Sequence, residues 1–106
     1  MRMRIAWSLF AIEDREAVFE YIEADNAQAA VRMDEAIEAQ VELLAGTPEI
    51  GRPGRVEGTR ELVIQRTPYV VAYRIESKTV RVLRVLHGAQ LWPDKLEAER
   101  SEGRVR

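Results

Sequence analysis

Apolar positions recur along this chain with two different periods. From Met3 to Trp7, Ile5 and Trp7 alternate against Arg4 and Ala6, which predicts a short strand. Ala11, Val18, Tyr21 and Ile22 then recur at helical spacing among acids, and the pattern stops near Ala24-Asp25-Asn26. That predicts a first helix in which Arg15 stands where the apolar stripe calls for a leucine. Asn26 can cap a second helix, whose face of Ala30, Met33, Ile37, Val41 and Leu44 runs to Gly46, with Pro48 just beyond. Two antiparallel helices joined by so short a turn form a hairpin whose apolar faces point the same way.

The segment Gly46 to Thr59 holds four of the six glycines and two of the four prolines, so it reads as a connection. Beyond it the period changes. Glu61 to Arg66, Tyr69 to Glu76 and Thr79 to Leu86 are rich in Val, Ile and Tyr and are separated by Thr67-Pro68 and Ser77-Lys78, which predicts a three-stranded meander. Apolar residues on both faces of these strands imply helices on one face and a partly open second face. The expected architecture is α+β, in the order β-α-α-β-β-β, with the helical hairpin packed on a four-stranded, mainly antiparallel sheet. Residues 1–93 form one domain, and residues 94–106 form a charged tail in which Asp94-Lys95-Leu96-Glu97 can add a helical turn.

Composition narrows the chemistry. With 106 residues there is room for one core and not for a deep cofactor cavity, so no cofactor is expected. Zero cysteines and one histidine exclude thiolate chemistry and leave only carboxylates for a metal, so no metal site is expected either. No apolar run approaches the roughly 18 residues of a membrane span, and the start Met1-Arg2-Met3-Arg4 is followed by too short an apolar run for a signal peptide. A cytoplasmic protein without membrane contact is the expectation.

The net charge of −2 conceals a division. Ser8 to Ile50 carries eleven acids against Arg15 and Arg32, a net −9, whereas Gly51 to His87 carries eight bases against Glu57, Glu61 and Glu76, a net +5. Such polarity suggests a solvated acidic layer and a basic layer that meets a polyanion or an acidic partner. Arg74, Arg81 and Arg84 are candidates for that binding face, with Arg52, Arg55, Arg60 and Arg66 at its rim. Arg60 with Glu61 offers a structural ion pair instead. Gly51 to Gly54 lacks the Gly-Lys-Ser/Thr of a phosphate loop and reads as a turn.

Three segments carry a resemblance: Gly51-Arg52-Pro53-Gly54-Arg55 through Val63, Pro68-Tyr69-Val70-Val71-Ala72-Tyr73-Arg74-Ile75, and Val82-Leu83-Arg84-Val85-Leu86-His87. With Tyr21-Ile22, Asp25-Asn26 and Ala29-Ala30 in the hairpin, they resemble the RelE/ParE superfamily of toxins from bacterial type II toxin-antitoxin modules. The resemblance implies a growth inhibitor neutralised by a cognate antitoxin, in a toxin-antitoxin hetero-oligomer, and it implies one of two targets. ParE-like members inhibit DNA gyrase and serve plasmid stabilisation. RelE-like members cut mRNA on the ribosome without a metal.

RNA cleavage needs a base for the 2′-OH, cationic groups for the phosphate and an acid for the leaving oxygen. The resemblance would assign these to His87, Arg55, Arg74 and Arg84. RelE-like nucleases have an arginine near the start of the third strand and bases after the last, whereas this chain has Tyr69-Val70-Val71 and Gly88-Ala89-Gln90 there. Glu61 falls where those nucleases tend to use lysines, although some relatives use a Glu and a His instead. The gyrase-directed branch is therefore the expectation, with antitoxin or target contacts at Arg52, Arg60, Arg66, Arg74, Arg81 and Arg84, antitoxin acids meeting Arg74 and Arg84 above all. His87 is then expected to pack under the loop to Trp92 and bond a backbone carbonyl, and Trp7 and Trp92 to pack.

Overall fold

A computed structural model describes residues 2–90, residue 92 and the backbone of residues 102–105. The elements are β1 (Arg4–Ser8), α1 (Leu9–Glu23), α2 (Ala27–Glu42), β2 (Arg52–Pro53), β3 (Arg60–Val63), β4 (Tyr69–Glu76), β5 (Thr79–His87) and β6 (Glu102–Val105). The sheet order is β2-β3-β4-β5-β1-β6. β1 lies parallel to β5, and every other pairing is antiparallel. The expected sheet of four strands thus has six. β2 is too short to show a period, and β6 lies in a charged stretch without apolar alternation, so neither announced itself. The helical turn expected at Asp94–Glu97 lies outside the described residues.

Local chemistry sets the helix boundaries. Ser8 caps α1, its Oγ accepting the Ala11 N–H at 3.0 Å, and Asn26 caps α2 by accepting from Ala29 at 3.0 Å. A single 3-10 turn, Leu43–Ala45, ends the hairpin before Gly46. α2 buries Ala30, Ile37 and Val41 and, with Leu44, meets Ile5, Trp7, Val71, Tyr73, Val80, Val82 and Val85 from the sheet. Each aliphatic side chain so buried is worth about 1.5–3 kcal/mol.

α1 is weakly amphipathic because Arg15 occupies its core-facing stripe, and the structure shows why it is tolerated. The Arg15 guanidinium lies 4.6 Å from the centre of the Trp7 ring and pairs with Asp34 at 2.8 Å and Glu38 at 2.7 Å, both on α2. Two acids of the second helix neutralise the one buried base of the first.

A bulge divides β5 between the two faces. Tyr73 pairs with Val82 and Ala72 with Arg84, which leaves Leu83 as the extra residue. Val82 and Val85 therefore reach the helix-covered core, while Leu83 and Leu86 join Val70, Ala72 and Trp92 in a smaller cluster on the other face. Where β1 gives way to α1, the edge of β5 is satisfied by two side chains, one from the cap of α1 and one from its second turn. Ser8 Oγ donates to the Leu83 carbonyl at 2.9 Å, and Asp14 accepts the Val85 N–H at 2.8 Å. No helix among the described residues is long and apolar enough to cross a membrane.

Candidate functional site

The arginines of the basic half settle into separate groups, each built on a carboxylate or on backbone. The first group hangs on Glu61, only 3% exposed in β3. Pairing of Arg52 with Glu61 across β2 and β3 brings the Arg52 side chain onto Oε1, with Nη2 at 2.9 Å. Arg55 gives Oε2 both its backbone N–H, at 2.8 Å, and its Nε, at 3.1 Å. Burial alone would raise the Glu61 pKa, but the Arg55 backbone N–H and the Arg52 and Arg55 side chains outweigh it and hold the carboxyl below its ordinary value. The same Arg55 guanidinium lies 3.6 Å from the centre of the Trp92 ring.

A second group forms at the far end of β4. Glu76 takes Arg81 at 3.0 Å and Arg74 at 3.3 Å. Its pKa is lowered, chiefly by the Arg81 hydrogen bond, with burial opposing. Arg84 goes elsewhere. It makes a two-point pair with Asp14 of α1, Nε to Oδ2 at 2.8 Å and Nη2 to Oδ1 at 3.0 Å, and this hydrogen bonding raises the guanidinium pKa.

Arg60 does not pair with Glu61. It donates to the Gly51 carbonyl at 2.7 Å and the Glu49 carbonyl at 3.2 Å, and so ties down the glycine-rich connection. Arg66 sits exposed in the loop between β3 and β4 with φ 68°, a backbone position that a side chain without branching tolerates at some cost.

His87 is exposed at the end of β5. Its ring meets Tyr69 edge to face with centres 5.7 Å apart, and its Nδ1 accepts the Ala89 N–H at 3.0 Å. Among the described residues the ring neither packs under the loop nor bonds a carbonyl, contrary to the expectation; the turn at residues 88–90 directs the Ala89 N–H at it instead. The neutral imidazole thus carries its proton on Nε2. Trp7 and Trp92 both pack, as expected.

The structure therefore brings Arg52 and Arg55 together, and Arg74 and Arg81 together, and directs Arg84 to α1. Of the three acids that decide this, sequence reading paired Glu61 with Arg60 instead of Arg52 and Arg55 and missed Glu76 and Asp14. Glu61 carried a usable signal, being an acid inside a strand that faces the spacing Arg52-Pro53-Gly54-Arg55 across a connection. Asp14 carried none, since its partner lies 70 residues away.

A concavity lies between the helices, an open groove of about 600 Å³ lined by Ile12, Arg15, Glu16, Phe19, Glu20, Glu23 and Asp34. Its rim is acidic and its one base, Arg15, is already paired.

Comparison with known proteins places this architecture. The model of the ParE toxin of the type II toxin-antitoxin system, parDE, matches residues 5–92. The chain belongs to the ParE toxin family. It is 44% identical over 95 residues to the protein Y4kP of Sinorhizobium fredii, an alignment covering 90% of this chain and 98% of that protein. It is 33% identical over 88 residues to Toxin RelE2 of Caulobacter vibrioides, covering 83% and 98%. Among solved structures, the chromosomal ParDE toxin-antitoxin system of P. aeruginosa matches with a TM-score of 0.74 and 27% identity over 81% of this chain and 96% of that one. The RelBE2 toxin-antitoxin complex of Mycobacterium tuberculosis shares the fold, with a TM-score of 0.57 and 23% identity over 82% and 99%. The RelE/ParE resemblance of the three segments is thus borne out, and the ParE family toxin has the two helices on a mainly antiparallel sheet that its order of elements predicted.

Proposed function

We propose that this toxin stops growth by inhibiting DNA gyrase in the cytoplasm and is neutralised by a cognate antitoxin. The observation that carries the choice of target is the state of the arginines. Of the three that an RNA-cleaving site would use for phosphate, Arg55 is held by Glu61, Arg74 by Glu76 and Arg84 by Asp14. Stabilising a pentavalent phosphate requires cationic groups that converge on it and are not spent on other anions. Here the three point to three different carboxylates, and His87 stands at the end of β5 with none of these acids as its partner. A protein-binding toxin needs no such convergence.

The antitoxin reading rests on the family and on the toxin-antitoxin assemblies among its structural neighbours. A disordered antitoxin segment that folds on the toxin spends part of its contact energy on ordering itself, so it requires a broad surface. Acids of such a segment that engage Arg74 or Arg84 would have to exchange with Glu76 or Asp14. Equal antitoxin affinity for the wild-type toxin and for a double variant with Arg74→Ala and Arg84→Ala would exclude docking there.

The deciding experiment is to induce the chain alone in bacteria and pulse-label DNA and protein synthesis in parallel over the first minutes. DNA synthesis is expected to stop first, followed by a DNA-damage response. Collapse of protein synthesis while DNA synthesis continues would overturn the gyrase reading. The variant His87→Ala is expected to stay toxic, and loss of toxicity with fold and antitoxin binding intact would favour an mRNA endonuclease.

A further inference from the structure

Of the seven arginines between Gly51 and His87, five are held by Glu61, Glu76 and Asp14, and a sixth, Arg60, by backbone carbonyls. The outer side of α1 is the opposite case. Glu16, Glu20 and Glu23 are exposed there and make no ion pair among the described residues. They stand at i, i+4 and i+7, so like charges face one another along the helix, an arrangement that weakens it. The same three acids rim the groove between α1 and α2, whose floor is Ile12 and Phe19, both half-buried, and whose far wall carries Asp34. Its one base, Arg15, is spent on Asp34 and Glu38. The groove follows α1 from Ile12 to Glu23, a length of about 16 Å or three helical turns.

We propose that this groove docks a basic amphipathic helix of a partner protein, its aliphatic stripe seated on Ile12 and Phe19 and its flanking lysines or arginines meeting Glu16, Glu20 and Glu23. Charge complementarity sets the sign of the partner: the acids are unpaired, and cations brought to them relieve their mutual repulsion. Backbone accounting sets its conformation. Between their ends, both walls spend their N–H and C=O groups inside α1 and α2, so an extended segment finds no ladder to join. A helix arrives with its own backbone satisfied and offers side-chain ridges to the groove, anchored at i, i+3, i+4 and i+7. This surface is separate from Arg74 and Arg81 at the far end of β4, and it does not depend on whether gyrase or the ribosome is the cellular target.

The probe is a fluorescein-labelled peptide of about 14 residues, leucines at helical spacing and lysines elsewhere, titrated with the full chain and read by anisotropy. It should bind the wild type, more weakly as salt rises. The triple variant Glu16→Gln, Glu20→Gln, Glu23→Gln changes only exposed side chains and removes their repulsion, so it should fold and should bind about tenfold more weakly. A second triple variant, Glu35→Gln, Glu49→Gln, Glu57→Gln, removes the same charge from exposed positions outside the groove and should keep its affinity within about twofold. Equal weakening in both triple variants would overturn the groove in favour of general charge attraction. Retained binding by a peptide whose leucines are replaced by alanine would overturn the apolar floor, and equal binding by an isomer with leucine and lysine in strict alternation would overturn the helical occupant. Failure of the helical peptide to bind the wild-type chain would overturn the docking site.

Discussion

Asp14 in the second turn of α1 holds Arg84 of β5 through two parallel hydrogen bonds of 2.8 and 3.0 Å. One of its oxygens also accepts the Val85 N–H, so the carboxylate serves as a substitute strand where β1 has ended. The pair ties the helical layer to the sheet, and it removes Arg84 from any set of cations that could gather on a phosphate.

Arg84→Ala is expected to lower stability by about 1.5–3 kcal/mol, the usual worth of hydrogen bonds to a charged group, toward the low end because both side chains are partly exposed. Asp14→Asn should cost less, since its amide oxygen can still accept from Val85. Urea unfolding of the two variants and the double variant would give the coupling. A coupling of zero would show that the pair contributes nothing to the join between layers.

Arg15 is the one charged side chain on the core face of α1, over Trp7 and between Asp34 and Glu38. Removing one member of a buried ion network costs about 3–5 kcal/mol when it leaves charges uncompensated. Asp34 and Glu38 keep some access to water, so Arg15→Ala should cost about 3 kcal/mol, and Arg15→Leu less because it refills the volume. Equal stability of Arg15→Ala and wild type in urea would contradict this account of α1.

Glu61 links stability to pH. Its pKa in the folded chain is lowered below the ordinary 4.5, burial opposing and the Arg55 and Arg52 hydrogen bonds prevailing. The unfolded chain therefore takes up this proton first as pH falls, and the stability the carboxylate supplies is fully present above about pH 4.5 and lost as pH drops through the lower folded value. The wild type should thus lose more stability between pH 5 and pH 2 than Glu61→Gln does. Parallel acid-unfolding curves for the two, followed by circular dichroism, would refute the linkage.

Tyr73 Oη accepts the Gly51 N–H at 3.0 Å and donates to the Pro48 carbonyl at 2.6 Å, holding the glycine-rich connection against the core. Tyr73→Phe should cost about 1–3 kcal/mol by leaving these backbone groups unpaired. Gly51→Ala should cost more, because a Cβ there would lie 2.5 Å from that oxygen and 2.9 Å from the Glu61 carbonyl. A thermal midpoint for Gly51→Ala equal to that of the wild type would show that the connection relaxes freely.

Local pattern sufficed for much of this molecule. The α2 stripe, the Asn26 cap, the stop at Gly46 and the β4–β5 hairpin were all legible, because each depends on residues within a few positions of one another. The order of these elements was enough to recognise the superfamily. Which carboxylate each arginine would meet was not legible. Arg15 looked like a misfit until α2 placed Asp34 and Glu38 beside it, and Arg60 looked like the partner of Glu61 until strand pairing set Arg52 there instead. Charge pairing depends on distances of a few ångströms between segments far apart in the chain, and only the folded arrangement sets those distances. The net charge of the basic half was written in its composition, whereas tertiary structure decided that five of its seven arginines would be divided among Glu61, Glu76 and Asp14.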